Sequence, residues 1–137
     1  MRLLLALAAL VAMSLPGAAT ARQNIPPVIV YFESGSDALN AASRETLEAY
    51  VQLLRRVSAP RVILAGHADA AEGDNAENVG LSQRRALIVR EYLAVAGIPQ
   101  GTMTTQAFGA ARPAVAAKTA EPMNRRVEIT VGPDSGW

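Results

Sequence analysis

The order of apolar strands and amphipathic helices is the feature that most limits how this chain can fold. A β-branched and aromatic run at 28–32 predicts a first strand, and its lack of polar breaks indicates a strand covered on both faces. Asn40 is a suitable N-cap for a helix that ends near Ser58, before Pro60. The apolar positions of this helix are Leu47, Val51 and Leu54.

The same order follows once more along the chain. Residues 61–65 predict a second apolar strand, a polar loop covers 66–80, Ser82 caps the next helix and Gly97 ends it. Two strand–helix units predict right-handed crossovers and parallel neighbouring strands in one sheet. The apolar side of this helix comprises Leu81, Arg85 through its stem, Ile88, Val89, Tyr92 and Leu93.

The last third of the chain predicts two more strands. Residues 102–108 form the third, and a proline-bearing loop at 109–123 follows it. Residues 126–131 alternate polar with apolar side chains, which is typical of a half-buried strand. The aromatic side chains expected in the core are Tyr31, Phe32, Tyr92 and Phe108.

The first 21 residues have the pattern of a secretory signal peptide. Arg2 precedes a short apolar run at 3–13, and small residues stand at Ala19 and Ala21 before the expected cleavage point. The run is too short to span a bilayer, and we expect no membrane span in the mature chain. The remaining organisation is then a linker at 22–27, one domain at 28–131 and a loose tail at 132–137.

Composition and spacing exclude several classes of function. The 13 basic and 12 acidic side chains form no basic stripe, so nothing indicates a nucleic-acid partner. The chain has no Cys, and its one histidine, His67, lacks the companions that a zinc site or a nucleophilic triad needs. Glu72, Asp74 and Glu77 lack calcium-loop spacing and are expected in a solvated loop. The sequence therefore predicts no metal, no cofactor and no catalytic residues.

Two opposite charges frame the second strand–helix connection. Asp69 stands where the strand ends, and Arg85 lies inside the following helix, so a connection that folds back would bring both to one rim. A carboxylate beside a guanidinium suits a ligand that carries an ammonium and a carboxylate on one carbon. A salt bridge that only ties loop to helix is the structural alternative. Arg84, one position away, is expected to be solvated.

Six motifs, in this order, together resemble the OmpA-like C-terminal domain family over about 28–131. They are Val30-Tyr31-Phe32 with Ser36 and Leu39; Gly66-His67-Ala68-Asp69; Asn78-Val79-Gly80-Leu81-Ser82-Gln83-Arg84-Arg85-Ala86; Tyr92-Leu93 with Gly97-Ile98; Phe108-Gly109 before Pro113; and Met123-Asn124-Arg125-Arg126-Val127-Glu128-Ile129.

The resemblance implies an α+β fold, a two-layer βαβαβ(β) arrangement with both helices on one face of a mixed sheet. It also implies non-covalent binding of peptidoglycan through the diaminopimelate of its peptide stem, without a cofactor. By motif, Asp69 corresponds to the residue that binds the ligand ammonium and Arg85 to the one that binds its carboxylate. Asn78 and Arg125 match the two remaining binding positions.

Two departures from the family pattern keep an alternative open. Ala68 replaces the usual Thr, and the gap from Asp69 to Asn78 is one residue longer than expected. The favoured hypothesis is a periplasmic module that binds the cell wall, either free or docked on an outer-membrane or other envelope protein. The alternative is a protein-interaction module of an envelope complex with a vestigial wall pocket. A wall-cleaving enzyme is disfavoured because catalytic residues are lacking.

Overall fold

The computed structural model describes residues 25–57 and 61–132. The expected signal peptide, residues 22–24 of the expected linker and residues 133–137 of the expected tail lie outside these ranges. The helices and strands are β1 (Val28–Tyr31), α1 (Ala41–Leu54), β2 (Val62–Gly66), α2 (Asn75–Val95), β3 (Met103–Ala107) and β4 (Arg126–Val131). No helix within the described ranges has both the length and the apolar character needed to cross a bilayer.

The four strands form one mixed sheet in the order β1-β4-β2-β3. β2 and β3 are parallel, and β4 runs antiparallel to both β1 and β2. Residues of both helices share one core cluster with alternate residues of the strands, so the helices cover one face. The expected two-layer α+β fold is confirmed. β1 and β2 are not the expected parallel neighbours, because β4 returns between them and pairs with each.

The first strand is less covered than its sequence suggests. β1 lies at the sheet edge, with Ile29 39% and Tyr31 41% exposed. The expectation of a strand buried on both faces is therefore wrong, and so is the assignment of Tyr31 to the core. Phe32, the next residue, is buried, and Tyr92 packs partly buried against the core. Phe108 is only half-buried.

The start of α1 agrees with the sequence prediction, and the start of α2 does not. Asn40 caps α1 as expected, its Oδ1 accepting a hydrogen bond from the Ser43 N–H at 2.8 Å. α2 begins at Asn75 and not at Ser82, because Asp74 accepts from the Glu77 N–H while Glu77 accepts from the Asp74 N–H. Much of the expected polar loop is thus helical. α1 stops at Leu54, earlier than expected, whereas Gly97 follows the end of α2 with φ 100°.

The end of β2 and the middle of α2 meet almost without separation. A Cβ added to Gly66 would overlap the backbone carbonyl of Ser82. The Ser82 hydroxyl donates to the Val79 carbonyl at 2.8 Å and accepts from the Gly109 N–H at 3.0 Å. This close approach sets how deeply α2 lies against the sheet, and therefore where its polar first turns stand.

The sheet face opposite the helices holds a cluster of polar side chains that includes His67. The ring of His67, 2% exposed, stacks on Phe108 with centroids 5.3 Å apart, and its Nε2 lies 3.4 Å from Glu128. Arg126 donates to Glu128 and to the backbone carbonyl of Arg112. Because polar groups of β4 are covered here as well, β4 is more deeply buried than the expected half-buried strand. Burial, aided by the Arg126 charge and opposed by Glu128, lowers the pKa of His67 to about 4.

We expect Gly66→Ala to lower the free energy of unfolding by about 1–3 kcal/mol, since β2 and α2 must separate to admit the methyl group. Gly101→Ala is the matched control because its added Cβ meets nothing within 4 Å. Urea denaturation of the two variants measures the difference. Equal stabilities would contradict the assigned close approach.

Stability should fall as the pH is lowered from about 6.5 to about 4, because the unfolded chain protonates His67 in this window while the folded chain does not. Denaturant titrations at several pH values would compare the protein with His67→Gln. The substitution should reduce the loss of stability across this window. Parallel pH profiles would show that His67 does not contribute to it.

Candidate functional site

The four residues singled out by the sequence lie around one edge of the sheet. This edge holds the carboxyl ends of β1 and β2 and, because β4 is antiparallel to them, the start of β4. Asp69 follows β2, and Arg125 precedes β4. Asn78 and Arg85 lie on α2, whose first turns stand beside the same edge. The topology thus gathers residues that are far apart in sequence.

Arg85 is fully buried, and all five of its N–H donors have acceptors within the chain. Nε donates to the Ser36 carbonyl at 2.9 Å. Nη1 donates to the His67 carbonyl at 3.1 Å, and Nη2 to the Glu33 carbonyl at 3.1 Å. The two remaining donors bind the Glu72 carboxylate, Nη1 to Oε1 at 2.8 Å and Nη2 to Oε2 at 2.5 Å. A ligand can bind this guanidinium only by replacing one of these acceptors.

Glu72 is the ion-pair partner of Arg85, and its side chain is 1% exposed. Besides the two guanidinium bonds, Oε2 accepts from the Gly35 N–H at 2.6 Å and Oε1 from the Asp69 N–H at 2.8 Å. Burial opposes ionisation, but the hydrogen bonds from Arg85, Asp69 and Gly35 outweigh it and lower the pKa of Glu72. The expectation that Glu72 belongs to a solvated loop is wrong, because its carboxylate is the buried counter-ion of the site.

Asp69 is 1% exposed, and its carboxylate is not among the acceptors of Arg85, so the direct salt bridge that the sequence left open as the structural alternative does not form. Its Oδ1 accepts from the Ala71 N–H at 3.2 Å, and its Oδ2 accepts from the Glu121 N–H at 2.8 Å. The cation beside it is Arg125, whose Nη1 lies 3.9 Å from Oδ2. Asp69 and Arg85 are linked through Glu72, which binds the backbone of the first and the side chain of the second.

The two other expected binding residues are also buried. Asn78 lies in the first turn of α2, where its Nδ2 donates to the Gly73 carbonyl at 3.0 Å. Its Oδ1 is buried without a hydrogen-bond partner among the described residues. Arg125 donates from Nε to the Phe32 carbonyl at 2.9 Å, while Arg126 lies with Glu128 on the other side of the sheet. Arg84 is exposed as expected, 3.4 Å from Asp37.

The site can be described as a receptor for one carboxylate. Two guanidinium N–H groups of Arg85 and the backbone N–H groups of Gly35 and Asp69 converge on the position that Glu72 fills. Charge-assisted bonds to a bidentate guanidinium are among the stronger hydrogen bonds in proteins. The Asp69 carboxylate adds an acceptor for a cationic group beside this receptor. The arrangement can bind a dipolar group.

The sequence does not identify Glu72 or Glu121 as members of the site. Glu72 had a local signal, because Asp69 and Glu72 have the spacing of a capping box, which the structure forms around the 3₁₀ turn Ala70–Glu72. That spacing predicts a turn but not a buried ion pair. Glu121 contributes its backbone N–H from a distant loop, and sequence carries no signal for such a contact.

The chain matches the sequence model of the OmpA family over residues 31–126. It is 35% identical over 104 residues to a peptidoglycan-associated lipoprotein of Brucella melitensis, across 74% of this chain and 61% of that protein. It is 36% identical over 109 residues to the probable lipoprotein YiaD of Escherichia coli, across 78% of this chain and 49% of that protein. The chain therefore covers less than two thirds of the length of these relatives.

Solved structures share the fold. The peptidoglycan-associated lipoprotein of Burkholderia pseudomallei has a TM-score of 0.69 at 24% identity, across 76% of this chain and 89% of that one. The C-terminal domain of Helicobacter pylori MotB has a TM-score of 0.69 at 23% identity, across 81% and 87%. Fold, motif order and relatives agree, and the chain belongs to the OmpA family.

Proposed function

We propose that this protein binds peptidoglycan non-covalently in the bacterial envelope, through the diaminopimelate of the peptide stem. Membership of the OmpA family and the names of its relatives support the general role. The observation that carries the finer proposal is the buried receptor in which four N–H donors converge on one carboxylate beside Asp69.

The chemistry of diaminopimelate fits the two halves of the site. The free end of its side chain carries an ammonium and a carboxylate on one carbon. In the proposed complex Arg85 and the backbone N–H groups around it bind the carboxylate, and Asp69 accepts from the ammonium. Asn78 offers a buried amide oxygen that lacks a partner among the described residues, and Arg125 positions Asp69.

The proposed organisation follows from this role. Residues 28–131 form the binding domain, and residues 1–21 direct export to the periplasm, where the wall is accessible. Binding needs no cofactor and no reaction step. The partner is the stem peptide, and an outer-membrane or other envelope protein is a further candidate partner.

A second candidate function is a protein-interaction module whose wall pocket is vestigial. The observation in its favour is that Arg85 has all five donors satisfied by the chain itself. Crosslinking in cells separates the two candidates. Recovery of peptidoglycan fragments supports wall binding, whereas recovery of protein partners alone supports the second candidate.

Asp69→Asn should weaken binding to purified sacculi by about 2–5 kcal/mol, or about 30-fold to about 5,000-fold, because it leaves the ligand ammonium unpaired in a buried site. Arg85→Lys should also weaken binding, because lysine keeps the charge but loses the planar pair of donors that binds a carboxylate. Arg84→Lys is the matched control, since Arg84 is exposed beside the site. Co-sedimentation measures binding, and circular dichroism verifies that each variant is folded. Unchanged binding by both folded site variants would refute the proposed residues.

A diaminopimelate-containing stem peptide should bind more tightly than its lysine-containing analogue, which lacks the distal carboxylate that Arg85 is proposed to bind. Isothermal titration of the protein with both peptides measures the difference. The Arg84→Lys variant should retain this discrimination. Equal affinities would contradict recognition of the carboxylate while leaving wall binding itself open to the sacculus assay.

A further inference from the structure

The carboxylate receptor of this domain is filled by the chain itself. Each donor directed at the receptor position already binds Glu72, and the Glu72 carboxylate in turn has four donors. A carboxylate offers about four lone-pair sites, so Glu72 can accept no further hydrogen bond, and Arg85 has no free donor. An external carboxylate and Glu72 therefore cannot bind Arg85 in this way at the same time.

The same short turn also covers Asp69. The turn Ala70–Glu72, which we call the Glu72 turn, begins at Asp69, and its Ala71 N–H donates to Asp69 Oδ1 at 3.2 Å. The Glu72 N–H donates to the Asp69 carbonyl at 2.9 Å. Movement of this single turn would withdraw a donor from Asp69 and the carboxylate from Arg85 together. The carboxylate receptor and Oδ1 of Asp69 would then become available together, while the Glu121 N–H still binds Oδ2.

The Glu72 turn is a separate unit of the connection between β2 and α2. Gly73 ends it, with φ 159° and ψ −169°, and the Asp74–Glu77 capping box of α2 follows at once. A Cβ on Gly73 would overlap the Glu77 side chain, so these two capped turns can meet only at a glycine. The Glu72 carboxylate links the turn to the loop after β1, through the Gly35 N–H, and to α2, through Arg85.

We propose that Glu72 is an internal competitor that occupies the ligand's carboxylate position, and that wall binding proceeds by exchange of Glu72 for the carboxylate of the stem peptide. This inference rests on the proposed function for the identity of the external ligand. The nature of the receptor, which is a site for a carboxylate, does not depend on the proposed function. While Glu72 binds Arg85, the buried guanidinium stays paired until a ligand carboxylate replaces Glu72.

An internal competitor lowers the apparent affinity in proportion to the fraction of molecules that are open. Minor conformations of proteins are commonly populated at about 0.1–10%. Removal of the Glu72 carboxylate should therefore tighten binding to sacculi by about 10-fold to about 1,000-fold. If Glu72 had a purely structural role, its removal would instead weaken binding.

The first experiment uses acetate as a carboxylate probe that is independent of the cell wall. Glu72→Ala leaves Arg85 without its counter-ion, so sodium acetate should raise the thermal midpoint of this variant more than sodium chloride at equal ionic strength. The unsubstituted protein should show no such difference, because Glu72 fills the receptor. Glu77→Ala is the matched control, since it removes a glutamate from the adjoining capping box and creates no vacancy beside Arg85.

Glu72→Gln keeps the proposal testable if the alanine variant fails to fold, because it retains the side-chain shape while removing the charge. It should bind sacculi more tightly than the unsubstituted protein. Folded Glu72 variants with no acetate response and no gain in sacculus binding would overturn the internal competitor, even where the unsubstituted protein binds sacculi. An acetate response with no sacculus binding by any variant would support the carboxylate receptor and refute wall binding.

Discussion

The ion pair of Arg85 with Glu72 is the interaction on which the site depends. A fully buried guanidinium is tolerated only when its donors are satisfied, and here the acceptors come from the loop after β1, the end of β2 and the Glu72 turn. One side chain of α2 therefore ties three separate segments to the helix. The geometry of the proposed ligand site and the integrity of this edge of the domain rest on the same group.

The place of β4 explains why these segments meet. As the last strand it returns between β1 and β2, antiparallel to both, so its start lies among their ends. Arg125, just before β4, reaches both Asp69 and the carbonyl of Phe32. If β1 and β2 were adjacent, the start of β4 would not lie between their ends. The return of β4 thus brings a cation beside Asp69, whereas Arg85 of the second strand–helix unit pairs with Glu72.

Local signals predicted most of the elements, and long-range contacts decided the rest. Asn40 capped α1 and Gly97 followed α2 as expected, because caps depend on a few neighbouring residues. Residue pattern could not show that β1 lies at an edge, since this depends on where β4 pairs. The sequence also indicated Asp69 and Arg85 as charges at one rim, but not that Glu72 stands between them. The sequence alone does not distinguish a buried carboxylate three residues after Asp69 from one that faces water.

Two consecutive Asp-x-x-Glu capping boxes, joined at Gly73, make up the connection from Asp69 into α2. Each box satisfies the backbone donors of its own turn, and the Glu72 carboxylate of the first box also binds Gly35 and Arg85. Because each turn is capped by its own Asp and Glu, a change in the number of residues between them would leave both capping boxes intact. The longer gap that the sequence indicates between Asp69 and Asn78 would thus alter the connection and leave β2 and α2 in place.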